Sequence, residues 1–422
     1  MQRDWRVVCL AWLLCAVGTA PAADWRQFRG PGGQGVSPEK GLPVEWSSRK
    51  NIRWKTPLLG PGTSSPVTVG DRVYLTCYTA YALDPQAPGK MEDLRRHLVC
   101  IDLGGGKIHW TKQFDPKLPE HKYEGEGSYH GYSSSTPTSD GERLFVFFGK
   151  SGVFCFDLNG NPIWHTSVGE GIDRWGSATS PVLFKNLVII NASVESGAIV
   201  ALDKTTGKEV WRAPGVRSAW NTPILVEAQP HGLELVVAVR DRILSLNPET
   251  GKELWNAEGI HRYVCPSLVD HDGVVYAIGG GHTSLAVRAG GRGDVTKTHG
   301  LWRVNKGSNV PSPIYDDGHL YWASEKGALL HCQNAETGKF EYSHRVSPDP
   351  GLIYASPLLA DGKLYYVSQH SGTYVLAAGP KFNLLAHNTF EDDSSRANAS
   401  IAAVNGELLL RTDQALYCIA NR

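Results

Sequence analysis

The sequence predicts an all-β fold, an eight-bladed β-propeller of four-stranded antiparallel blades, on three observations. A strand-rich unit recurs about every 44 residues, and the last strand of most units closes on a large aromatic. One strand near the N-terminus also matches the final strand of a unit, while the C-terminal unit is one strand short. A period of roughly 40 to 45 residues is that of a four-stranded blade, which points to radial repetition rather than a helical solenoid.

The clearest copy runs from Ser180 to Trp211. A first strand follows Ser180-Pro181, and a Lys185-Asn186 turn leads into Leu187 to Asn191. A polar loop precedes Ala198 to Leu202, and Thr206-Gly207-Lys208 turns the chain into the strand ending at Trp211. Each piece has the β-branched content and the Gly/Asn punctuation of strands and hairpins. Units open at Pro66, Pro137, Pro181, Pro223, Pro266, Pro313 and Pro357, with an eighth start after Ser400. Proline suits that place because the first residue of a strand need not donate to the ladder. Fourth strands end on Trp110, Trp164, Trp211 and Trp255, with Tyr342 standing for Trp in a fifth. At that phase the aromatic covers the neighbouring sheet. The last unit, Ile401 to Ile419, has three strands, and Asn51 to Lys55 supplies the fourth. Pairing them removes two open sheet edges and closes the ring.

The chain has 422 residues with 42 basic and 42 acidic side chains. That balance argues against a nucleic-acid partner, which requires a basic face. Residues 1–22 read as a signal peptide: Arg3 and Arg6 precede an apolar run from Val7 to Val17, and Ala20-Pro21-Ala22 offers small residues for cleavage. The run is too short to span a bilayer, and neither Cys9 nor Cys15 sits in a lipoprotein pattern, so a periplasmic or secreted protein without a transmembrane anchor is expected. Cys100, Cys155, Cys332 and Cys418 share one repeat phase in different blades, beyond disulfide reach of each other. Cys77 and Cys100 are the one pair on neighbouring strands. No CxxC or Cys/His cluster suggests a metal.

Residues 23–50 form an extension expected to lie on the ring, anchored by Trp25, Phe28 and Trp46. Residues 51–422 form the propeller. Blade one is long, with extra residues at Ala80 to Arg96 and at Asp115 to Ser134. In an up-and-down blade these two connections share a face, and the opposite face carries only short turns such as Asp140-Gly141 and Asp361-Gly362. Long loops on a rigid scaffold are where function concentrates. The decorated face also receives the segments that precede each first strand, with His130, Tyr132, Arg174, Trp175, Trp220, Asn221, Arg262, Tyr263, Lys306, Asn309, Tyr354, Arg396 and Asn398 around the channel mouth. These side chains either plug the channel or bind an envelope protein or a small ligand. Three arginines converging there would repel unless an anion or carboxylate joined them. His282 reads as structural. Arg292-Gly293-Asp294 falls in a turn on the bare face, and Phe148 to Ser151 lacks the first glycine of a phosphate loop.

The segments VVYAIGG, GVFCFDLNGNPIW, AIVALDKTTGKEVW and ILSLNPETGKELW resemble the pyrroloquinoline-quinone (PQQ) type propeller repeat over nearly all of the chain after residue 22. Two groups with that repeat share an eight-bladed ring: quinoprotein alcohol dehydrogenases and the non-catalytic outer-membrane assembly factor BamB. The first resemblance implies PQQ held between a vicinal Cys-Cys disulfide and a Trp, with calcium bound by Glu, Asn and Asp. The sequence has no adjacent cysteines, and Asp173, Glu258, Glu391, Asp392 and Asp393 are the loop carboxylates available. The second resemblance implies a scaffold with no cofactor, and this is the leading expectation, with a quinone-dependent oxidoreductase as the alternative.

Overall fold

The computed structural model describes residues 24–421 except Pro85 and Gly281, so the signal-peptide reading of 1–22 lies outside the described residues. Among the described residues eight sheets follow one another along the chain, six antiparallel sheets of four strands and two of five in which a short parallel strand joins an antiparallel four. Blade one is Val67–Val69, Arg72–Thr79, Arg95–Asp102 and Ile108–Phe114; the unit read from Ser180 folds as Val182–Phe184, Leu187–Ala192, Ala198–Asp203 and Glu209–Pro214. The ring closes through Ile52–Pro57, which pairs antiparallel with Ala415–Ile419 and places Trp54 opposite Cys418. The predicted fold class and closure are therefore borne out.

What joins blade to blade is an interlock between the fourth-strand aromatic and the next blade's last turn. The indole nitrogens of Trp54, Trp164, Trp211 and Trp302 donate to the carbonyls of Leu103, Lys204, Pro248 and Ala335 at 2.8 to 3.2 Å. Gly106, Gly160, Gly207, Gly251 and Gly338 each lie against one of these rings or Trp110, with φ between +70° and +78°. A side chain there would meet both a ring and an unfavourable backbone region, which explains the recurrent Gly before Lys in these turns. Opposite the aromatic, strand three carries a small residue. Cys100, Cys155, Cys332 and Cys418 pair with Trp110, Trp164, Tyr342 and Trp54. All six described cysteines are free. Cys77 faces His97 while Cys100 faces Tyr74, three rungs away, so the open Cys77–Cys100 pairing does not form.

Blade five lacks the Gly turn. Its loop adds a two-residue strand, Gly293–Asp294, parallel to blade four's outer strand, so the Arg-Gly-Asp tripeptide is structural. Arg292 pairs at 3.1 Å with Glu234, a 1% exposed carboxylate that also accepts from the Trp255 indole at 2.5 Å.

Around the axis the first strands are tied by a closed belt of hydroxyls. The backbone N–H of Ser65 donates to Thr136 Oγ1, Thr136 to Ser180, Ser180 to Thr222, and Thr222 to Ser267, at 2.9 to 3.0 Å. Ser267 continues to Ser312, Ser312 to Ser356, Ser356 to Ser400, and Ser400 returns to Ser65 at 3.2 Å. The hydroxyl is thus the true phase marker. Pro266 precedes its Ser267, whereas the other prolines follow theirs, so Pro266 is out of register as a unit start.

The chain before the ring crosses the face of short turns and enters the channel from there. Trp25 exchanges hydrogen bonds with Thr68, Asp24 accepts from Gly70 N–H, and Arg26 donates to the Asp140 carbonyl. Val36–Ser37 adds a parallel strand inside Leu358–Ala360 of blade seven. No helix of the described residues is long and apolar enough to cross a membrane.

Candidate functional site

The two long excursions of blade one fold onto each other on the decorated face. Tyr78, Tyr81, Ala82, Leu94 and Tyr132 form their own small core, with Met91 and Tyr123 against it. A buried ion pair, Arg96 to Glu120 at 2.9 Å, links the base of the first excursion to the second. The second is pinned to the far side of the mouth as well. Arg396 Nη1 donates to the Ser128 carbonyl and Asn398 Nδ2 to the Tyr129 carbonyl, both at 2.6 Å.

Beside them the channel opens as a cavity of about 230 Å³. Its upper wall holds Trp175, Trp220, Tyr263 and Tyr354, with His130, Asn309 and Asn398 between them. Lower down, the hydroxyls of Ser65, Thr222, Ser267, Ser312, Ser356 and Ser400 come to the wall, and Phe28 of the N-terminal extension lines it as the floor. Phe28, Thr222 and Ser267 also line a cleft on the bare face, so the axial space is divided where the Phe28 ring sits.

Of the residues predicted at the mouth, His130, Trp175, Trp220, Tyr263, Asn309, Tyr354 and Asn398 line this cavity, and the rest are placed otherwise. Tyr132 is 3% exposed in the loop core and gives its hydroxyl hydrogen to the His121 carbonyl. Asn221 is buried and donates to the Ala238 carbonyl at 2.6 Å. Lys306 stands 4.6 Å over the Phe340 ring and donates to Ser343. The three arginines do not converge. Arg396 pairs with Asp413 at 2.9 Å, Arg174 lies 4.7 Å over the Trp175 ring, and Arg262 is exposed. Each guanidinium finds a local partner or solvent, which removes the repulsion expected from a cluster.

Sequence reasoning missed Phe28, Glu126, Glu325, Lys326 and Cys265, all of which line the cavity. The recurring Ser/Thr beside each proline was the signal for the hydroxyl belt. Burial lowers His130 to about 4 and His121 to about 3, so both imidazoles are neutral near pH 7. Burial also raises the Cys265 thiol to about 12, leaving it an unreactive thiol. Glu195, buried behind the wall and bonded to Ser177, is raised to about 7 by desolvation.

These residues do not fit a quinone with calcium. The Trp175 ring is enclosed by Arg174, by Trp220 at 5.1 Å and by Tyr263 at 4.4 Å, with no disulfide opposite. Asp392 and Asp393 are held by Lys55 and by Thr412 and Tyr417, and among the described residues no three His, Cys, Asp or Glu side chains stand together as a metal site.

The ring, its closure and its repeat define a class, the eight-bladed β-propellers. More narrowly, residues 91–276 match the sequence model of the family described as Outer membrane protein assembly factor BamB. No curated protein matches its sequence. Among solved structures, it resembles BamB from Moraxella catarrhalis with a TM-score of 0.62 at 14% identity, over 88% of this chain and 97% of that one. It resembles the quinohemoprotein alcohol dehydrogenase of Comamonas testosteroni with a TM-score of 0.67 at 12% identity, over 95% and 81% of the two chains. The computationally designed Ika8 protein gives 0.58 at 11% identity, over 86% and 98%. At such identities the likeness speaks to fold alone.

Proposed function

We propose that this protein is a non-catalytic binding and scaffolding propeller of the cell envelope, periplasmic or secreted, which recognises its partner on the decorated face. The observation that carries the reading is the co-location, on one side of a rigid ring, of the two packed blade-one excursions and the aromatic-walled cavity. Exposed apolar side chains stand on the same excursions and neighbouring loops: Leu83 is 54% exposed, Ile172 48% and Leu59 49%. Apolar groups presented by ordered loops around a pocket are the usual anchors of a recognition surface. The family match to BamB supports a scaffold role.

The test uses surface substitutions that leave the fold intact. Leu83→Asp and Ile172→Asp together should abolish capture of the envelope partner, while Val210→Asp and Leu301→Asp on the outer edges of blades three and five should leave it unchanged. Retained capture by the first pair, or its loss in the second, would refute the assignment of the face.

A further inference from the structure

Two acidic side chains stand in the wall of the axial cavity beside its rings. Glu126 and Glu325 line it together with Tyr263, Tyr354 and Asn309, and Lys326 is the one Lys or Arg among the described lining residues. Lys326 does not cancel the two carboxylates. Its Nζ is 3.6 Å from Glu325 Oε1, longer than a hydrogen bond, on a side chain 64% exposed where that of Glu325 is 12% exposed. A pair held that loosely by an exposed lysine contributes little. Glu126, in the second blade-one excursion, is exposed and forms no ion pair with the described residues. His130 adds no charge near pH 7, because burial lowers it to about 4.

The oxygens around these carboxylates are free to accept. Among the described residues, the Tyr263 and Tyr354 hydroxyls and the Asn309 side chain have no hydrogen-bond partner, and all three residues are half-buried where they line the cavity. Burial raises both tyrosines, and Glu325 and Glu126 each add to the rise at both hydroxyls, so the four groups stand within electrostatic reach of one another; the exposed Arg262 opposes the rise at Tyr263. An anion entering this space meets like charge. A sugar would find rings and acceptors but brings no charge to the carboxylates. An organic cation answers all of them: ring faces attract it, carboxylates balance it, and hydroxyl and amide oxygens accept its N–H groups. A cavity of about 230 Å³ falls below the roughly 300 to 1,000 Å³ of drug-sized pockets, which limits the guest to a few heavy atoms.

We infer that the axial cavity binds a small organic ammonium ion, a primary amine or a quaternary ammonium, beside Tyr263 and Tyr354 with Glu325 and Glu126 as its counter-charges. This site goes beyond the protein partner proposed for the decorated face. The purified chain binds the cation alone, so Leu83→Asp with Ile172→Asp, which ends partner capture, leaves cation binding unchanged.

Isothermal titration calorimetry on the whole purified chain tests the site, with choline and propylammonium as probes and with glucose and dimethylbutanol, the uncharged isostere of choline, as controls. At least one of the two cations should bind saturably, with dimethylbutanol weaker than choline by about tenfold or more and glucose giving no binding heat. Glu325→Gln should weaken the cation by about tenfold or more with Tm unchanged, and Glu126→Gln, at an exposed position, by a few-fold. If Glu325→Gln does not fold, the comparison of choline with its isostere on the wild type still decides. Equal binding of choline and dimethylbutanol, binding of glucose in place of both cations, no saturable heat from either cation at millimolar concentration, or unchanged affinity in folded Glu325→Gln would overturn the inference.

Discussion

The interlock between blades can be weighed by one substitution and its control. Gly207 sits at φ +71° in the last turn of blade three, and a Cβ placed there would lie 2.6 Å from Trp164 Cδ2 and 2.9 Å from Thr166 Oγ1 of blade two. Gly362, at φ +66° in a first-to-second-strand turn, has open space around the same position. Gly362→Ala therefore reports only the left-handed backbone cost, about 1 kcal/mol. Gly207→Ala adds displacement of the indole, worth about 1 to 3 kcal/mol of overpacking. It also strains the Trp164 bond to the Lys204 carbonyl at 3.0 Å, about 1 kcal/mol more. The sum is about 4 kcal/mol against about 1 for the control. Urea unfolding followed by circular dichroism gives both values, and the cycle with Trp164→Ala isolates the coupling. Equal costs at the two glycines, or a Gly207→Ala cost unchanged once Trp164 is gone, would refute the interlock.

Ring closure should be as sensitive: Trp54→Ala removes an 8% exposed indole bonded to the Leu103 carbonyl and is expected to cost about 3 to 5 kcal/mol, read as the urea midpoint. Ser312→Ala strips the acceptor from the buried Ser267 N–H and should cost about 1 to 3 kcal/mol by the same assay, with serine-to-threonine restoring it. Glu195 has a folded pKa near 7, above the unbound 4.5, so the fold holds its proton more tightly than the unfolded chain and loses stability as pH rises from about 4.5 to 7. His121 and His130 have the opposite sign: held neutral with values near 3 and 4 against 6.5, they add stability as pH rises through about 4 to 6.5. Glu195→Gln should therefore steepen the acid loss of Tm between pH 7 and pH 5, and a variant that left the profile unchanged would contradict the assignment.

The ring was legible because its determinants repeat. The Trp and Gly of the interlock are local pairs in sequence phase, and the orphan strand around Trp54 announced closure. Positions that depend on a single long-range partner were not legible. Arg396 looked free until Asp413, on the next hairpin of the same blade, came beside it, and Arg174 until it folded over Trp175. The floor was hidden for a different reason: Phe28 belongs to a glycine-rich stretch with no period, so nothing in the pattern could aim it into the channel. The prolines, more conspicuous than their neighbours, drew the phase away from the serines and threonines that hold the belt together.

Photocrosslinking in intact cells probes the recognition surface most directly. A crosslinking residue at Leu83 or Ile172 should trap the same partner, and one at Val210 or on the bare face at Gly362 should trap none. Capture confined to the bare face or the outer strands would contradict the account.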